Sequence, residues 1–501
     1  MKLRTVSTFF CVLCLTLSVS AQNPKYQSKV PESVLTPDKV QTETLGELNF
    51  FDGMPTKETV KKVYDFIDLA RGVDAFLKGI PATSIYAALR GCDEAGMKPH
   101  EIGIFEQLMD ARSLWLTPNS TTLYTVSHVD LSKGPIVAEI PPGVLGLLND
   151  AFFRYVADFG VAGPDKGKGG RYLLLPPDYE GEVPEGYFVV QSKTYHNWYL
   201  VRAIPKNGDL EAAANGVKKG ARLYPLSQVD DPPKQVFHNL SGVKYNTIHA
   251  NTFEFYEELH AVIEREPADA FDPELLGIFA AIGIKKGEPF KPDARMKRIL
   301  TEAASIGNAT SRALSFSPRS KRVYFYEDRQ WSSPFAGGSH EFLNNGERVL
   351  DDRVYFHYIA TGITPAMVNS AVGRGSAYAH VSKDSAGNYL DGGKRFRIDL
   401  PSPIPAKDFW SFMVYSGQHR SMLETDQKTA GVDSLSKDIK VNADGSYTVW
   451  FGPKAPKGKE GNWVQTIPGK SYHVLFRLYG PLESWFDKTW KPGDFELIEE
   501  K

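Results

Sequence analysis

The chain has 501 residues, 42% apolar and 24% charged, with a formal net charge of -2. That length holds roughly three domains of ordinary size, and the composition excludes intrinsic disorder, a collagen repeat and a multi-span membrane protein. The near-zero charge excludes the basic footprint of a nucleic-acid binder.

The first predicted element is a secretory signal peptide over residues 1–21. Lys2 and Arg4 give the positive start. Residues 8–19 form a mainly apolar run too short to cross a bilayer as a helix. Ser18-Val19-Ser20-Ala21 supplies the small residues of a cleavage site after Ala21. The expected destination is secreted or periplasmic, with no stable membrane span after cleavage. Removal takes Cys11 and Cys14 and leaves Cys92 alone. One thiol makes no internal disulfide, so the fold depends on its core.

Residues 22–55 are polar and proline-bearing and read as an extended lead-in. A helix starts at Thr56, whose hydroxyl suits the capping position, with Val60, Val63, Tyr64 and Ile67 at helical spacing. A second helical stretch is expected over 81–89, ending near Gly91. From Leu114 the pattern turns to short strands, at 123–129, 152–159, 171–175, 187–190 and 198–203. In the last of these Trp198, Leu200 and Arg202 face one way, and Tyr199, Val201 and Ala203 the other. Short strands punctuated by Gly and Pro argue for a sandwich or barrel. With 12% aromatic residues, 43 Gly and 33 Pro, the composition agrees.

Residues 207–315 read as a helical linker, with apolar stripes such as Phe255, Leu259, Val262 and Ile263. From Arg322 the strand signal returns. Phe396, Ile398 and Leu400 alternate with Arg397 and Asp399, as in a strand buried on one face. Asp444-Gly445 between apolar runs is a strong hairpin signal, joining 439–441 to 447–451. Strands are also expected over 409–415 and 472–479. The predicted fold class is therefore α+β and mainly β: two antiparallel β-sandwich domains, at 56–206 and 316–501, joined by the helical segment.

The familiar catalytic signatures are absent. Gly373-Arg374-Gly375-Ser376 is out of register for a nucleophile elbow, and neither His100-Glu101 nor His340-Glu341 is followed by the second histidine of a zinc protease. Residues 163–170 are rich in Gly and Lys but fit no phosphate-binding loop; a surface loop accounts for them. His357 and His380 fall in one expected strand region with Tyr355, Tyr358 and Tyr378, yet two histidines do not make a metal site. No metal or cofactor is expected.

Thr117-Pro118-Asn119-Ser120-Thr121-Thr122-Leu123-Tyr124, followed by Asp130 and Gly134-Pro135, resembles exported bacterial proteins carrying domain of unknown function 1254. The C-terminal part resembles domain of unknown function 1214 at Asp391-Gly392, Phe409-Trp410-Ser411, Phe451-Gly452-Pro453, Asn462-Trp463 and Arg477-Leu478-Tyr479-Gly480-Pro481. That match continues through Trp485-Phe486 to Trp490-Lys491-Pro492-Gly493-Asp494. The resemblance implies jelly-roll-like sandwiches, a helical bridge and a homo-oligomer, and it leaves the biochemical role open. Thr121 stands where that family usually has an acid.

The candidate ligand residues are Asn119, Tyr124, Arg202, His473, Arg477, Tyr479 and Trp463. Asn119, after a proline, suits a turn that binds its own backbone. His473 and Arg477, four apart in a strand, share a face with Tyr479. Such a cationic, hydroxyl-bearing face suits an anionic or sugar ligand, and an Arg paired to a nearby acid is the structural alternative. Trp463 and Trp485 suit either sugar stacking or plugging of the sandwich end. Three functions follow: a ligand- or glycan-binding protein, a periplasmic carbohydrate-active hydrolase or lyase, or an assembly protein. The hydrolase would draw on Asp150, Asp158, Glu327, Asp328 or Asp391 and needs two carboxyls across one cleft.

Overall fold

A computed structural model describes residues 25–26 and 28–498; the expected signal peptide lies outside the described residues. These residues fall into two compact units, one ending at Phe66 and one from Ile67 onward. In the first, within the stretch read as a lead-in, β1 (Lys39–Thr42), β2 (Gly46–Phe51) and β3 (Met54–Pro55) make a small antiparallel sheet.

Helix α1 runs from Lys57 to Glu94. Thr56 caps it as expected, its hydroxyl accepting from the Thr59 N–H at 3.3 Å. The expected break at Pro81 does not occur: Pro81 lies inside the continuous helix. Proline removes one helical hydrogen bond there, but Phe76, Ile80, Ala82 and Ile85 around it are all buried. Packing of that face outweighs the local loss. Gly91 is inside α1 as well, and a Cβ there would come within 2.8 Å of the Asn246 carbonyl oxygen. It serves close approach, not termination.

The larger unit continues with β4 (Ile102–Ile104), β5 (Leu123–Asp130), β6 (Ile136–Ile140), β7 (Leu145–Asp150) and β8 (Tyr155–Gly160). Next come β9 (Gly170–Leu175), β10 (Phe188–Gln191), β11 (His196–Ala203), α2 (Leu210–Gly220), β12 (Arg222–Pro225) and β13 (Phe237–Asn239). They form a six-stranded sheet, β13-β4-β5-β11-β7-β8, and a four-stranded sheet, β10-β9-β6-β12. Leu123, Val129, Tyr199 and Val201 of the first share one core with Ala138, Ile140, Tyr172 and Leu174 of the second.

Helices α3 (Glu254–Arg265), α4 (Pro273–Ala281) and α5 (Ala294–Phe316) follow. They pack with α1 in a separate apolar cluster that includes Phe76, Phe255, Leu259, Leu300 and Ala303. After the short hairpin β14 (Leu343–Asn344) and β15 (Glu347–Arg348), the chain forms α6 (Leu350–Ile359) and α7 (Pro365–Val368). Strands were expected from Arg322; Tyr355, His357 and Tyr358 instead lie on α6. Tyr355, Tyr358 and Ile359 join the helical core, and burial around the whole turn of α6 hides the periodicity that would have marked it as helical.

The C-terminal sheets are β16-β22-β18-β19 and β21-β20-β17-β23. Their strands are β16 (Ser376–Val381), β17 (Phe396–Leu400), β18 (Ala406–Ser416), β19 (Gly431–Asp433), β20 (Tyr447–Gly452), β21 (Trp463–Gln465), β22 (Tyr472–Pro481) and β23 (Glu496–Leu497). A single helical turn, α8 (Glu483–Phe486), precedes β23. Both sheets fill one core, with Phe412 and Phe476 ring centroids 4.8 Å apart and Phe412 and Phe451 5.9 Å apart.

Two further expectations are corrected. Asp444-Gly445 makes a tight turn, with Asn442 donating to the Ser446 carbonyl at 2.8 Å, but residues 439–441 form no strand and β20 pairs with β17. The alternation of Phe396, Ile398 and Leu400 provides the better partner face. The sheets are also not wholly antiparallel: β10, β13 and β21 pair parallel with β9, β4 and β20. The chain is thus a mixed, sheet-rich protein with eight α-helices among the described residues.

Candidate functional site

Strand β22 is buried on both faces. Val474, Phe476 and Leu478 enter the C-terminal core. His473, Leu475, Arg477 and Tyr479 point the other way by the two-residue period of a strand. Register places Arg477 beside Tyr378 of β16 and Tyr479 beside Phe409 of β18, where the Phe409 and Tyr479 rings stack at 3.9 Å. In the N-terminal part β11 is also a two-faced strand, and Arg202 pairs with Tyr124 of β5. Tyr199 and Val201 fill the sandwich-side core, whereas Trp198 and Leu200 fill another with Trp115, Phe342 and Phe356.

These two faces meet at a cavity of ≈ 60 Å³. Arg202, Arg477, Tyr124 and Tyr378 supply its polar wall, and Leu147, Leu200, Phe335, Phe356, Met367 and Leu475 its apolar wall. A second cavity of ≈ 280 Å³ shares Leu147, Leu200, Arg202 and Met367 with the first. Arg202 therefore stands where a narrow inner chamber adjoins a wider outer one.

Among the described residues no Asp or Glu lines the inner chamber. Arg477 is 3% exposed. Its Nη2 donates to the Thr117 carbonyl at 2.9 Å and to the Tyr415 hydroxyl at 2.8 Å. The Tyr415 hydroxyl in turn donates to the Pro118 carbonyl at 2.6 Å. Nη1 of Arg477 is buried without a hydrogen-bond partner, as is the Thr361 hydroxyl on the same wall. Burial opposes the charge on Arg477, but the oxygens of Tyr415, Tyr479, Tyr124 and Tyr378 outweigh it and hold the proton. Arg202 is treated alike: burial opposes its charge, and Tyr378, Tyr124 and Tyr479 favour it. A buried cation with no carboxylate beside it is an expensive arrangement unless an anion completes it.

Asn119 also lines the inner chamber, where it holds its own loop. Its Oδ1 accepts from the Thr121 and Thr122 N–H groups, both at 3.0 Å, and from the Thr122 hydroxyl at 3.0 Å. Its own N–H donates to the Tyr124 hydroxyl at 3.1 Å. The residue fixes the turn that delivers Tyr124 to the wall. Thr121, beside it, meets the Tyr479 hydroxyl at 3.4 Å.

His473 and Trp463 lie away from the chamber. His473 is fully buried, its Nδ1 3.0 Å from His380 Nε2. His380 Nδ1 meets the Tyr355 hydroxyl at 2.7 Å, and that hydroxyl meets Ser332 at 2.7 Å. Burial pushes His380 down to about 3 and His473 well below its ordinary value, so both rings are neutral at pH 7. Trp463, on β21, donates its indole N–H to the Gly452 carbonyl at 2.9 Å; Trp485 and Trp490 belong to the C-terminal core.

Of the candidate acids, only Asp158 lines either chamber. It is 7% exposed. Burial pushes its carboxyl up to about 6, against the Thr364 hydroxyl, and its Oδ1 has no partner. Asp150 instead pairs with Arg154 at 2.6 Å. Tyr378, Thr361 and Phe356 were missed as wall residues. The cross-strand position of Tyr378 beside Arg477 was the available signal. Among the described residues no group of three or more His, Cys, Asp or Glu is placed to hold a metal, and no helix is long and apolar enough to cross a membrane.

Residues 99–225 match the family described as protein of unknown function DUF1254, and residues 375–483 match protein of unknown function DUF1214. The chain therefore carries these two regions in this order, and they supply Tyr124 and Arg202 on one side and Tyr378 and Arg477 on the other. The crystal structure of the VPA0106 protein from Vibrio parahaemolyticus is similar over 86% of this chain and 100% of its own, at 18% identity and a TM-score of 0.54. That likeness concerns the fold. A putative uncharacterized protein from Burkholderia cenocepacia aligns over 87% of this chain and 96% of its own, at 13% identity and a TM-score of 0.40. None of the curated proteins matches the chain.

Proposed function

We propose that the protein binds a small organic acid, its anionic head between Arg202 and Arg477 and its apolar part against Leu147, Leu200 and Met367. The observation that carries this is the convergence of two guanidinium groups in a chamber without a carboxylate. Nη1 of Arg477 offers an unused donor, and planar guanidinium groups suit carboxylate recognition. The inner chamber admits little more than a head group; the outer one has room for a tail. A neutral glycan would leave both charges uncompensated, so an acid fits better than an uncharged sugar. Two-carboxylate hydrolysis finds only Asp158 at these chambers and lacks its second acid there.

A thermal-shift screen tests the reading. At roughly 100-fold saturation a specific ligand stabilises the native state by about 2.7 kcal/mol. Organic acids are expected to raise the Tm and neutral sugars to leave it unmoved. Stabilisation by neutral sugars alone overturns the proposal.

We read each pair of facing sheets as a jelly-roll-like sandwich, the first extended by β12 and β13 past residue 206 and the second within 316–501. Two sheets around one shared core support that reading. We also propose export with cleavage after Ala21. Intact-mass measurement after expression in a bacterium checks it: a product starting at Gln22 is expected, and an uncleaved chain refutes it.

A further inference from the structure

A separate cavity of ≈ 390 Å³ lies among α1, the β7–β8 turn, α4 and α6. None of its wall residues is shared with the Arg477 chamber. Phe152, Phe153, Phe271 and Phe342 line it, with Phe152 and Phe271 edge to face at 5.4 Å. Lys78, Arg154, Arg348 and Arg353 supply its cations, and Lys78 is already paired with Asp74 at 2.7 Å.

Arg353 is the informative group. It is 8% exposed, and its Nε is buried without a partner. No ion pair includes it among the described residues. Burial and the nearby Arg348 charge push it down to about 10, with Asp74 opposing. Arg154 spends Nε on Asp150 and Nη1 on the Ala270 carbonyl, and its Nη2 is buried without a partner. The acids at this cavity, Asp272, Glu274 and Glu341, are all solvent-exposed, and Asp272 is already committed to capping α4. His357 brings no charge: burial pushes it down to about 3, and its Nδ1 bonds the Arg353 carbonyl at 2.8 Å.

The backbone adds an independent observation. Phe153 and Phe342, two of the buried aromatic walls, have φ of 59° and 57°. A bulky side chain in the left-handed region is strained, and such strain persists where the surroundings over-determine it, most often at ligand sites. Here it presents two phenyl rings to a cavity that Arg353, a cation without an ion-pair partner among the described residues, also lines.

We infer that this cavity is a second ligand site, for an aromatic anion. The ring lies among Phe152, Phe153, Phe271 and Phe342, and the carboxylate or sulfonate meets Arg353, with Arg348 at the rim. The size suits such a molecule, since small-molecule sites begin at roughly 300 Å³. Arg353 gains the counter-ion that the fold does not give it.

Fluorescence titration with the aromatic sulfonate dye anilinonaphthalene sulfonate tests this on the full chain. Saturable one-site binding is expected. Arg353→Met is expected to weaken it roughly tenfold or more, the cost of one charge-assisted contact. Arg348→Ala, at an exposed position, keeps the test open if the buried variant fails to fold; it is expected to weaken binding several-fold. Arg477→Met, in the other chamber, is expected to leave the dye affinity unchanged. The inference is overturned if the dye does not saturate a site, if both Arg353→Met and Arg348→Ala bind as the wild type does, or if Arg477→Met alone abolishes binding.

Discussion

Replacing Arg477 by Met separates a ligand-binding cation from an internal strut. The guanidinium makes two hydrogen bonds, to the Thr117 carbonyl and the Tyr415 hydroxyl. Bonds to a charged group contribute about 1.5–3 kcal/mol each. Methionine keeps much of the volume and loses both. In the empty protein, however, the variant no longer buries a cation without a counter-ion, and exchanging a buried charge for an apolar side chain is often neutral or stabilising by about 1–4 kcal/mol. The Tyr415 hydroxyl still donates to Pro118. The opposing effects are similar in size, so stability without ligand is expected to change by less than about 2 kcal/mol. Affinity for an organic acid has no such offset, because the contact is lost only in the complex. A loss of about 1.5–3 kcal/mol corresponds to a roughly 10- to 150-fold rise in Kd. Urea melts with and without an acid that stabilises the wild type measure both quantities. A variant that loses more than about 4 kcal/mol without ligand, yet keeps the full ligand-induced gain, would refute the reasoning and make Arg477 a strut.

Asn119→Ala leaves the Thr121 and Thr122 N–H groups without their acceptor; a cost of about 1–3 kcal/mol in urea melts is expected, with weaker acid binding because Tyr124 is displaced. Gly307→Ala would ordinarily favour a helix by roughly 1 kcal/mol. Its Cβ would come within 2.6 Å of Phe76, so a net destabilisation of about 1–3 kcal/mol from overpacking is expected, and a stabilised variant would contradict the α1–α5 packing. Asp158→Asn addresses pH. The native carboxyl sits at about 6 against an ordinary 3.8, through burial. Between those values the native state holds more protons than the unfolded chain, so this group's contribution to stability falls as pH rises and is constant above. The Tm of Asp158→Asn relative to wild type is expected to rise from pH 4 to 6 and then level; a flat difference refutes the assignment. Trp463→Phe, away from both chambers, is expected to leave acid affinity unchanged.

The strands were legible wherever one face met a core and the other carried a different pattern. Phe396, Ile398 and Leu400 against Arg397 and Asp399 is such a case, and the structure places β17 there. Arg202 and Arg477 stood out for a related reason: each interrupts a strand whose remaining residues are almost all buried. A charge in that position has to meet something, and sequence alone left open whether that was an acid or a ligand. Only the juxtaposition of β11 and β22, 275 positions apart at these two arginines, settles that no acid lines the chamber between them. Helix α6 was illegible because eight of its ten residues are buried, Asp352, Arg353 and His357 among them. Its Arg353 was therefore not singled out in a region where strands were expected. The same burial that erased the helical periodicity is what leaves that guanidinium short of partners, so the element hardest to read in the sequence carries the most informative unpaired charge of the second cavity.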